Sequence, residues 1–382
     1  MEITKFVTPE IIFGSNSISQ IGDCILRLGG TKAFIVTDRG VIKAGWVKKA
    51  VAYISECGID YHIFSDITSN PKDYEVMRAT KEYKRVQCDI VVGIGGGSCL
   101  DSAKAVALLS ANEGVVHEFQ GIDKIENPLP PMIMIPTTAG SGADISQFCI
   151  ITNTEKKVKI AIISKSLIPD ISIIDPTTLI TKEPIFTAYT GMDALTHAIE
   201  AYLSIASTPL TDLLALDAIR LISGNLRQSV RSKTDITAKT NIAMASQQAA
   251  MAFSNAILGA VHAMSHPLGG LLDMPHGEVN SILLPHVMEF NKSAVPHKYT
   301  NIAIAMGENV EGLSDTEAAL QAINSINRLA RDIGIPKRLS EVGLQKKYIS
   351  QLSECAMEDA CLITNPKEVT QTDIEDIFKE AF

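Results

Sequence analysis

The sequence of 382 residues has little of what marks several large classes of protein. It contains 7 cysteines, an odd number without any C-x-x-C spacing, so it does not encode a disulfide framework. Lys and Arg number 34 against 43 Asp and Glu, which gives a formal net charge of −9. An acidic chain lacks the positive surface that dominates binding to nucleic acids and anionic membranes. The lack of a disulfide pattern and of positive charge predicts a cytoplasmic protein that binds neither nucleic acid nor membrane.

The sequence also lacks an export signal and an uninterrupted apolar span. Residues Met1–Phe6 contain no basic stretch that leads into an apolar core, so no signal peptide is predicted. The Ala- and Met-rich stretch 242–264 is the strongest candidate for a membrane span, but polar side chains interrupt it. We therefore predict that this stretch is a buried helix.

The composition is that of an ordinary folded protein, with 46% hydrophobic and 20% charged residues, and the length suits two or three domains. Between about residues 30 and 180, short β-branched runs alternate with helical runs, which is typical of a parallel sheet covered by helices on both faces. The predicted strands are Lys32–Thr37, Tyr61–Phe64, Asp89–Ile94, Met132–Pro136 and Ile171–Ile174. The predicted helices between them cover 44–57, 73–86 and 98–111.

The second half of the chain has a different character, with long stretches of 3.6-residue periodicity and few strand signals. Periodic stretches cover Asp193–Leu203, Pro209–Ile222, Ala238–Leu258, Thr316–Ile333 and Gln345–Ala356. We predict an α/β domain of Rossmann-like type over residues 1–180 and an all-helical domain over residues 181–382.

A glycine-rich loop follows the third predicted strand. Gly95-Gly-Gly-Ser98 connects Asp89–Ile94 to a helix, and the free N–H groups at a helix N-terminus favour a phosphate. The loop is not a complete G-x-G-x-x-G motif, because it ends in serine. The alternative is a plain tight turn, in which Ser98 caps the helix together with Asp101.

The first strand of the α/β region ends at Asp38, whose carboxylate could accept hydrogen bonds from a ribose and repel a 2′-phosphate. That function would favour NAD over NADP. However, the acidic residue of a standard dinucleotide fingerprint follows the glycine loop, whereas Asp38 precedes it. Asp38 could instead be a turn residue before Gly40.

Histidines and one aspartate recur at helical spacing in the second half. Asp193 and His197 are four residues apart, as are His262 and His266, so each pair shares one face of a helix. Together with His276, these side chains could bind a divalent ion such as Fe(II) or Zn(II) and leave a position open for substrate. The alternative for each pair is a hydrogen-bonded structural histidine, as we expect for His62, His117, His286 and His297.

Over nearly its whole length, the sequence resembles the iron-containing (group III) alcohol dehydrogenases, a family that includes lactaldehyde reductase, propanediol dehydrogenase and methanol dehydrogenase. The stretch that is most specific to that family is Thr190-Gly-Met-Asp-Ala-Leu-Thr-His-Ala-Ile-Glu-Ala201. Further matches are Phe13-Gly14, Ile35-Val-Thr-Asp38, Asn70-Pro71, Gly95-Gly-Gly-Ser98, Pro136-Thr-Thr-Ala-Gly140, Ile174-Asp-Pro176, His262-Ala-Met-Ser-His266, His276-Gly277, Leu284-Pro-His286, Gly334-Ile-Pro336 and Asn365-Pro366.

The resemblance implies a role for particular residues. It implies that the metal ligands are Asp193, His197, His262 and His276, and that His266 is a catalytic proton relay beside the metal. It implies an NAD(H) site formed by Asp38, Asn70, Gly96, Gly97, Ser98, Thr137, Thr138, Lys159 and Leu179. The α/β domain would then bind the dinucleotide, and the helical domain would bind metal and substrate. In that family the acidic residue does precede the glycine loop.

The implied reaction is hydride transfer between NAD(H) and a small primary alcohol or aldehyde, assisted by Fe(II) or, alternatively, Zn(II). Relatives also suggest a homodimer or larger homo-oligomer. The chain departs from the family at Ala143-Asp144, where relatives commonly have Ser-Glu, and Phe148 follows. The resemblance places Phe148, Phe253 and Cys361 at the substrate pocket, although ordinary core packing is an alternative for each. The alternative function is a non-redox enzyme that also uses NAD and a metal, similar to dehydroquinate synthase.

Overall fold

A computed structural model describes residues 5–382 and divides the chain into two compact units. The α/β unit comprises Val7–Thr138 and Gly142–Thr181. The helical unit comprises Lys182–Phe382 and takes in the short segment Ala139–Ser141. The three-residue segment matters below, because its backbone contacts a histidine of the helical unit.

The α/β unit is built on a six-stranded sheet in the order β1-β9-β6-β4-β2-β3, in which all neighbouring strands are parallel. A second sheet has the order β5-β8-β7, with β7 and β8 antiparallel. The strands are β1 Glu10–Phe13, β2 Lys32–Val36, β3 Asp60–Phe64, β4 Ile90–Gly95, β5 Gly121–Ile122, β6 Met132–Pro136, β7 Phe148–Asn153, β8 Val158–Ile163 and β9 Ile171–Ile174. The predicted parallel α/β fold is confirmed.

Helices cover both faces of the large sheet, because alternate residues of each strand point to opposite sides. In β2, Ala33 and Ile35 belong to the apolar core on one face, while Phe34 and Val36 belong to the core on the other. The helices of this unit are α1 Ile21–Arg27, α2 Arg39–Lys43, α3 Trp46–Glu56, α4 Asp73–Val86 and α5 Gly97–Ala111.

The strand predictions agree with the structure to within one residue at each end, but they missed two features. β1 joins the edge of the sheet beside β9, and the hairpin of β7 and β8 inserts between β6 and β9 in the chain. β1 pairs with β9, which is distant in sequence, and local periodicity does not report such pairing. The hairpin pairs neighbouring segments and was not recognised in the sequence.

The helical unit contains no strand among its described residues, as predicted. Its helices are α6 Pro184–Leu203, α7 Pro209–Arg231, α8 Ile236–Ala256, α9 Ala260–Leu272, α10 His276–Asn291, α11 Pro296–Ala305, α12 Asp315–Asp332, α13 Ile349–Met357 and α14 Gln371–Ala381. α6 begins nine residues before the predicted start, since Pro184 is well suited to the first turn of a helix.

The prediction of one buried helix over 242–264 is wrong in one respect. Ile257 adopts φ 63° and ends α8, so the stretch divides into α8 and α9. A β-branched residue rarely adopts this conformation. The break lies at the end of the periodic stretch Ala238–Leu258, just before Gly259. No helix in the described part of the chain is both long and apolar enough to cross a membrane.

Candidate functional site

Asp193, His197 and Glu200 lie at positions i, i+4 and i+7 of α6, so all three project from one face of that helix. All three are buried. His262 and His266 share a face of α9 in the same way, and His276 is the first residue of α10. The site is therefore assembled from three helices of the helical unit.

The ligating atoms of Asp193, His262 and His276 converge to within 4.8 Å of one another. Nε2 of His262 and Nε2 of His276 each lie 3.9 Å from Oδ1 of Asp193. One carboxylate and two imidazoles form a donor set that binds borderline divalent ions. The donor set therefore fits the metal that the sequence implies.

The Nδ1 atom of each of these imidazoles is held by another group. Nδ1 of His262 lies 2.5 Å from Oε2 of Glu200, and Nδ1 of His276 lies 3.3 Å from the hydroxyl of Ser265. The Ser265 hydroxyl donates to the carbonyl of His262, so it accepts the Nδ1 proton of His276. A proton on Nδ1 leaves a lone pair on Nε2, which is the tautomer that a metal requires.

His197 lies beside this group rather than within the set of converging atoms. Its ring stacks between Phe253, at a centroid distance of 4.4 Å, and His262, at 4.6 Å. Its Nδ1 lies 3.1 Å from the carbonyl oxygen of Gly140, which directs the lone pair onto Nε2. Burial lowers the pKa of His197 to about 4, so the imidazole is neutral near pH 7. Its role as a fourth ligand stays a prediction.

Sequence reasoning missed Glu200. Oε1 of this carboxylate accepts from the backbone N–H of Val261 at 2.7 Å, while Oε2 contacts His262. Burial raises the pKa of Glu200 to about 7. Glu200 thus joins α6 to the start of α9 and orients one predicted ligand. Its spacing from Asp193 and His197 on the same helical face was the signal that could have revealed it.

His266, the predicted proton relay, makes a different contact. Its Nδ1 lies 2.7 Å from Oδ2 of Asp359, and its ring is nearly parallel to that of His276 at a centroid distance of 5.4 Å. Burial alone would raise the pKa of Asp359, but the charge and hydrogen bond of His266 and the N–H of Cys361 hold it well below its usual range. Ligating atoms of His266, Asp359 and Cys361 also lie within 4.8 Å of one another.

A glycine allows α6 and α10 to approach closely at this site. A Cβ on Gly277 would lie 2.5 Å from the carbonyl oxygen of Tyr189 and 3.3 Å from Cβ of Asp193. The hydroxyl of Tyr189 donates to Oε1 of Glu278 at 2.5 Å, and this hydrogen bond also links α6 to α10. The distance between Asp193 and His276 is therefore set by a contact that only glycine permits.

We expect Gly277→Ala to separate α10 from α6 and to lose most of the bound metal, since backbone atoms cannot yield as a flexible side chain can. Overpacking of this kind costs about 1–3 kcal/mol of folding stability. Metal content per chain and the melting temperature of the purified variant measure both effects. Gly224→Ala is the matched control, because a Cβ on Gly224 meets nothing within 4 Å in the interior of α7. A Gly277→Ala protein with full metal content would refute this account.

Four of the predicted dinucleotide residues, Asp38 and Gly96–Ser98, lie at the carboxyl edge of the large sheet. From β2 the chain first adds β3 on one side and then returns to add β4 on the other side. The strand order therefore reverses between β2 and β4. Ligands of open parallel sheets bind at the carboxyl ends of strands at such a point. Asp38 follows β2 there, and Gly96–Ser98 follow β4.

The alternative in which Ser98 caps the helix is wrong. α5 begins at Gly97, its N-cap residue is Gly96, and no side chain caps this end. Gly95 has φ 156°, and a Cβ there would lie 2.5 Å from Sγ of Cys99. No side chain caps this end of α5, and its first N–H groups, at Gly97 and Ser98, are of the kind that favours a phosphate at a helix N-terminus.

Asp38, predicted to contact a ribose, makes hydrogen bonds within the protein. Its Oδ1 accepts from the N–H of Val41 at 2.9 Å and caps α2, while Sγ of Cys99 lies 3.2 Å from its Oδ2. The turn alternative is therefore present in the structure. Hydrogen bonding to a ribose stays a prediction for this carboxylate, which has a further acceptor lone pair on each oxygen.

The other predicted cofactor residues lie at three places in the α/β unit. Thr137 and Thr138 follow β6, and the buried hydroxyl of Thr137 has no hydrogen-bond partner within residues 5–382. Asn70 and Lys159 both neighbour Thr152, the first through its carbonyl oxygen and the second across the hairpin. Leu179 lies in the 3₁₀ helix Pro176–Thr181 after β9.

The predicted substrate residues are distributed over both units. Phe253 is buried against His197, and Cys361 is buried beside Asp359. Phe148 lies in β7 of the α/β unit, where its carbonyl oxygen accepts from Nζ of the buried Lys104 at 2.9 Å.

Asp144, at the position where the chain departs from the family pattern, is buried in the α/β unit. Its Oδ2 accepts from the hydroxyl of Ser172 at 2.9 Å, and burial raises its pKa. This carboxylate therefore joins the segment after Gly142 to β9.

Two family models match the chain. That for the iron-containing alcohol dehydrogenases covers residues 8–176, and that for the C-terminal part of the same family covers residues 187–382. The chain belongs to the iron-containing alcohol dehydrogenase family. It is therefore an oxidoreductase that acts on CH–OH groups with NAD(H), and none of these comparisons supports the non-redox alternative.

Individual members of the family match the chain over nearly its full length. It is 46% identical to a 1,3-propanediol dehydrogenase of Klebsiella pneumoniae, over 99% of this chain and 98% of that one. It is 38% identical to an NAD-dependent methanol dehydrogenase of Bacillus methanolicus, over 98% and 99%. A solved structure of 1,3-propanediol oxidoreductase has a TM-score of 0.97 and 45% identity, and covers 100% of both chains.

Proposed function

We propose that this chain interconverts a short primary alcohol and its aldehyde, with a divalent metal bound by Asp193, His197, His262 and His276. The proposal rests on the convergence of one carboxylate and two imidazole donors in one site. The Nδ1 atoms of the two imidazoles are already hydrogen-bonded to Glu200 and Ser265. A divalent ion at this site would act as a Lewis acid on the substrate oxygen. We propose Fe(II) as the native ion and Zn(II) as the alternative, since nitrogen and oxygen donors suit both.

The side chains around the donor set would orient the substrate and move its proton. Asp359 accepts the Nδ1 proton of His266, so Nε2 of His266 is the atom that would exchange a proton with the alcohol. We propose that Phe253 and Cys361 form apolar walls of the substrate pocket, while a contact of Phe148 in the α/β unit with substrate stays a prediction from the resemblance. Aromatic walls exclude water and limit the length of the alcohol.

We propose that NAD(H) binds along the carboxyl edge of the large sheet. The first turn of α5, at Gly96–Ser98, would hold the pyrophosphate, and Asp38 would accept from the adenosine ribose. Asn70, Thr137, Thr138, Lys159 and Leu179 complete the proposed cofactor site. The unpartnered hydroxyl of Thr137 supports this assignment.

We also propose that the protein is a cytoplasmic homodimer or larger homo-oligomer. No disulfide joins cysteines in the described chain, which suits a reducing compartment. Light scattering of the purified protein measures the oligomer size, and a monomer at micromolar concentration would contradict the proposal.

The proposed reaction is tested with NADH and a series of straight-chain aldehydes. The protein is stripped with a chelator and then loaded with Fe(II) without oxygen, or with Zn(II). We expect oxidation of NADH with short aldehydes, loss of the activity on stripping, and recovery with Fe(II). Activity that survives complete removal of metal would refute the proposed mechanism.

We expect Asp38→Asn to raise the preference for NADPH over NADH, in kcat/KM, by about tenfold or more, equivalent to roughly 1.4 kcal/mol. The asparagine can still cap α2 through its side-chain oxygen, while the negative charge and the second acceptor oxygen are removed. Asp60→Asn, at the amino end of β3 on the other edge of the sheet, is the control for charge alone. A ratio within about twofold of wild type would identify Asp38 as a capping residue only.

A further inference from the structure

The helix that carries His262, α9, begins without a side-chain cap of its own. Its N-cap residue is Gly259, which has no side chain to accept from the first N–H groups of the helix. Two residues earlier, Ile257 has φ 63° and ends α8, so α8 does not continue directly into α9. His262 is the third residue of α9. The position of this predicted ligand therefore depends on the groups that hold the start of the helix.

Two side chains from elsewhere in the helical unit act as the cap. Oδ1 of Asn365 accepts from the N–H of Ala260 at 3.2 Å, and Oε1 of Glu200 accepts from the N–H of Val261 at 2.7 Å. These are the first two N–H groups of α9. Asn365 belongs to Asn365-Pro366, a match to the family for which the resemblance implies no role.

Gly259 fits between the two acceptors. A Cβ on this residue would lie 3.0 Å from Oδ1 of Asn365 and 3.0 Å from Oε1 of Glu200. Contacts this short would push the acceptors away from the N–H groups, because a packed interior has no free space to absorb an added atom. The glycine and the two distant acceptors therefore form one arrangement.

The amide of Asn365 is buried and held in a single orientation. Its Nδ2 donates to Oδ1 of Asn291 at 2.9 Å and to the carbonyl oxygen of Lys367 at 2.7 Å. Its Oδ1 accepts from Nδ2 of Asn291 at 2.9 Å as well as from Ala260. Both donors and both lone pairs of the amide are thus in use. Since Asn291 is the last residue of α10, the amide joins the start of α9 to the end of α10.

We propose that Asn365 is a positioning residue of the metal site. Together with Glu200 it fixes the first turn of α9, and that turn presents Nε2 of His262 to the metal. The contacts of Asn365 are with the backbone of α9 and with Asn291, so they leave the space between the metal ligands open and are compatible with a bound ion. The inference deepens the proposed function, on whose metal site it rests.

Loss of this amide would leave the first N–H of α9 without its acceptor. The first turn would then sample more conformations, and His262 would move with it. Binding of a metal would have to order the turn again, and this entropic cost would weaken the binding.

The test measures the affinity of metal-stripped protein for Co(II), by competition with a chromophoric chelator, in wild type and Asn365→Ala. We expect the variant to bind Co(II) about tenfold more weakly, the lower end of the range for groups that orient metal ligands, because Asn365 acts through the backbone. The visible spectrum of bound Co(II), which reports ligand geometry, should also change.

Gly259→Ala disturbs the same helix start while it keeps the side chain of Asn365. The added Cβ would displace both acceptors, so we expect Co(II) binding to weaken to a similar extent. If the Asn365→Ala protein does not fold, this variant decides the question. An affinity of Gly259→Ala within about twofold of wild type would then overturn the inference.

Asn112→Ala is the matched control for lost stability. Asn112 is a buried asparagine of the α/β unit, and its Oδ1 accepts from the N–H groups of Glu126 and Asn127 while its Nδ2 donates to the carbonyl of Leu108. Like Asn365 it holds backbone groups with both ends of its amide, but none of these groups belongs to α9. We expect a lower melting temperature with wild-type affinity and spectrum for Co(II). A merely structural Asn365 would behave in the same way.

The outcomes separate this inference from the function on which it rests. If wild type does not bind Co(II), or if His276→Ala binds it as tightly, the proposed metal site is wrong and the inference falls with it. If the metal site stands and Asn365→Ala keeps an affinity within about twofold, only the positioning role is overturned. An equal loss of affinity in Asn365→Ala and Asn112→Ala would show that reduced stability alone weakens metal binding, and it would overturn the inference as well.

Discussion

Replacement of His276 by Ala is expected to leave a folded protein with little bound metal and little or no turnover. Nε2 of His276 is one of three converging donor atoms, and it lies at the first position of α10, where no flexible neighbour can supply another imidazole. His276 is the least buried of these ligands, with 25% of its side chain exposed, so its loss costs little packing. Elemental analysis and a melting curve of the purified variant measure metal content and folding.

His286→Ala is the control for this experiment. His286 lies on the same helix and is half-buried, and we assign it a structural role. This variant should keep the wild-type metal content. Full metal content in the His276→Ala protein would remove His276 from the ligand set.

Replacement of His266 by Ala is expected to keep most of the metal and to reduce kcat by about 100- to 10,000-fold, the range for a general acid–base group. Nδ1 of His266 is bonded to Asp359, and its Nε2 is not one of the converging donor atoms. Loss of this imidazole removes the proposed route of the alcohol proton without removing a ligand. Steady-state kinetics and elemental analysis of one preparation separate rate from metal content.

Asp359→Asn gives a graded comparison. With its one oxygen the amide can still accept the Nδ1 proton of His266, although the negative charge and the acceptor for the N–H of Cys361 are lost, so we expect a smaller loss of kcat than in His266→Ala. If His266→Ala loses the metal while His276→Ala keeps it, the assignments of ligand and relay are reversed. If His266→Ala has wild-type kcat, the proton leaves by another route.

Much of the fold follows from local sequence. Alternation of short apolar runs with helical runs predicted the parallel sheet, because strands buried on both faces must be apolar throughout. Four-residue spacing placed Asp193 beside His197 and His262 beside His266, since residues one helical turn apart share a face. The glycine loop before α5 was also evident, because only small residues allow a ligand to approach the backbone there.

The composition of the site depends on contacts between segments that are far apart in the chain. Local spacing treats His262 and His266 as equivalent, and only the packing of α9 against α6 and against Asp359 gives them different partners. Glu200 gains its role from an atom 62 residues away. A hydrogen bond depends on where two helices cross, and that crossing is set by close packing such as the contact of Gly277 with Tyr189. The sequence by itself therefore determined the kinds of ligand and the family, whereas the tertiary structure decided which nitrogen each imidazole presents and which residues hold it there.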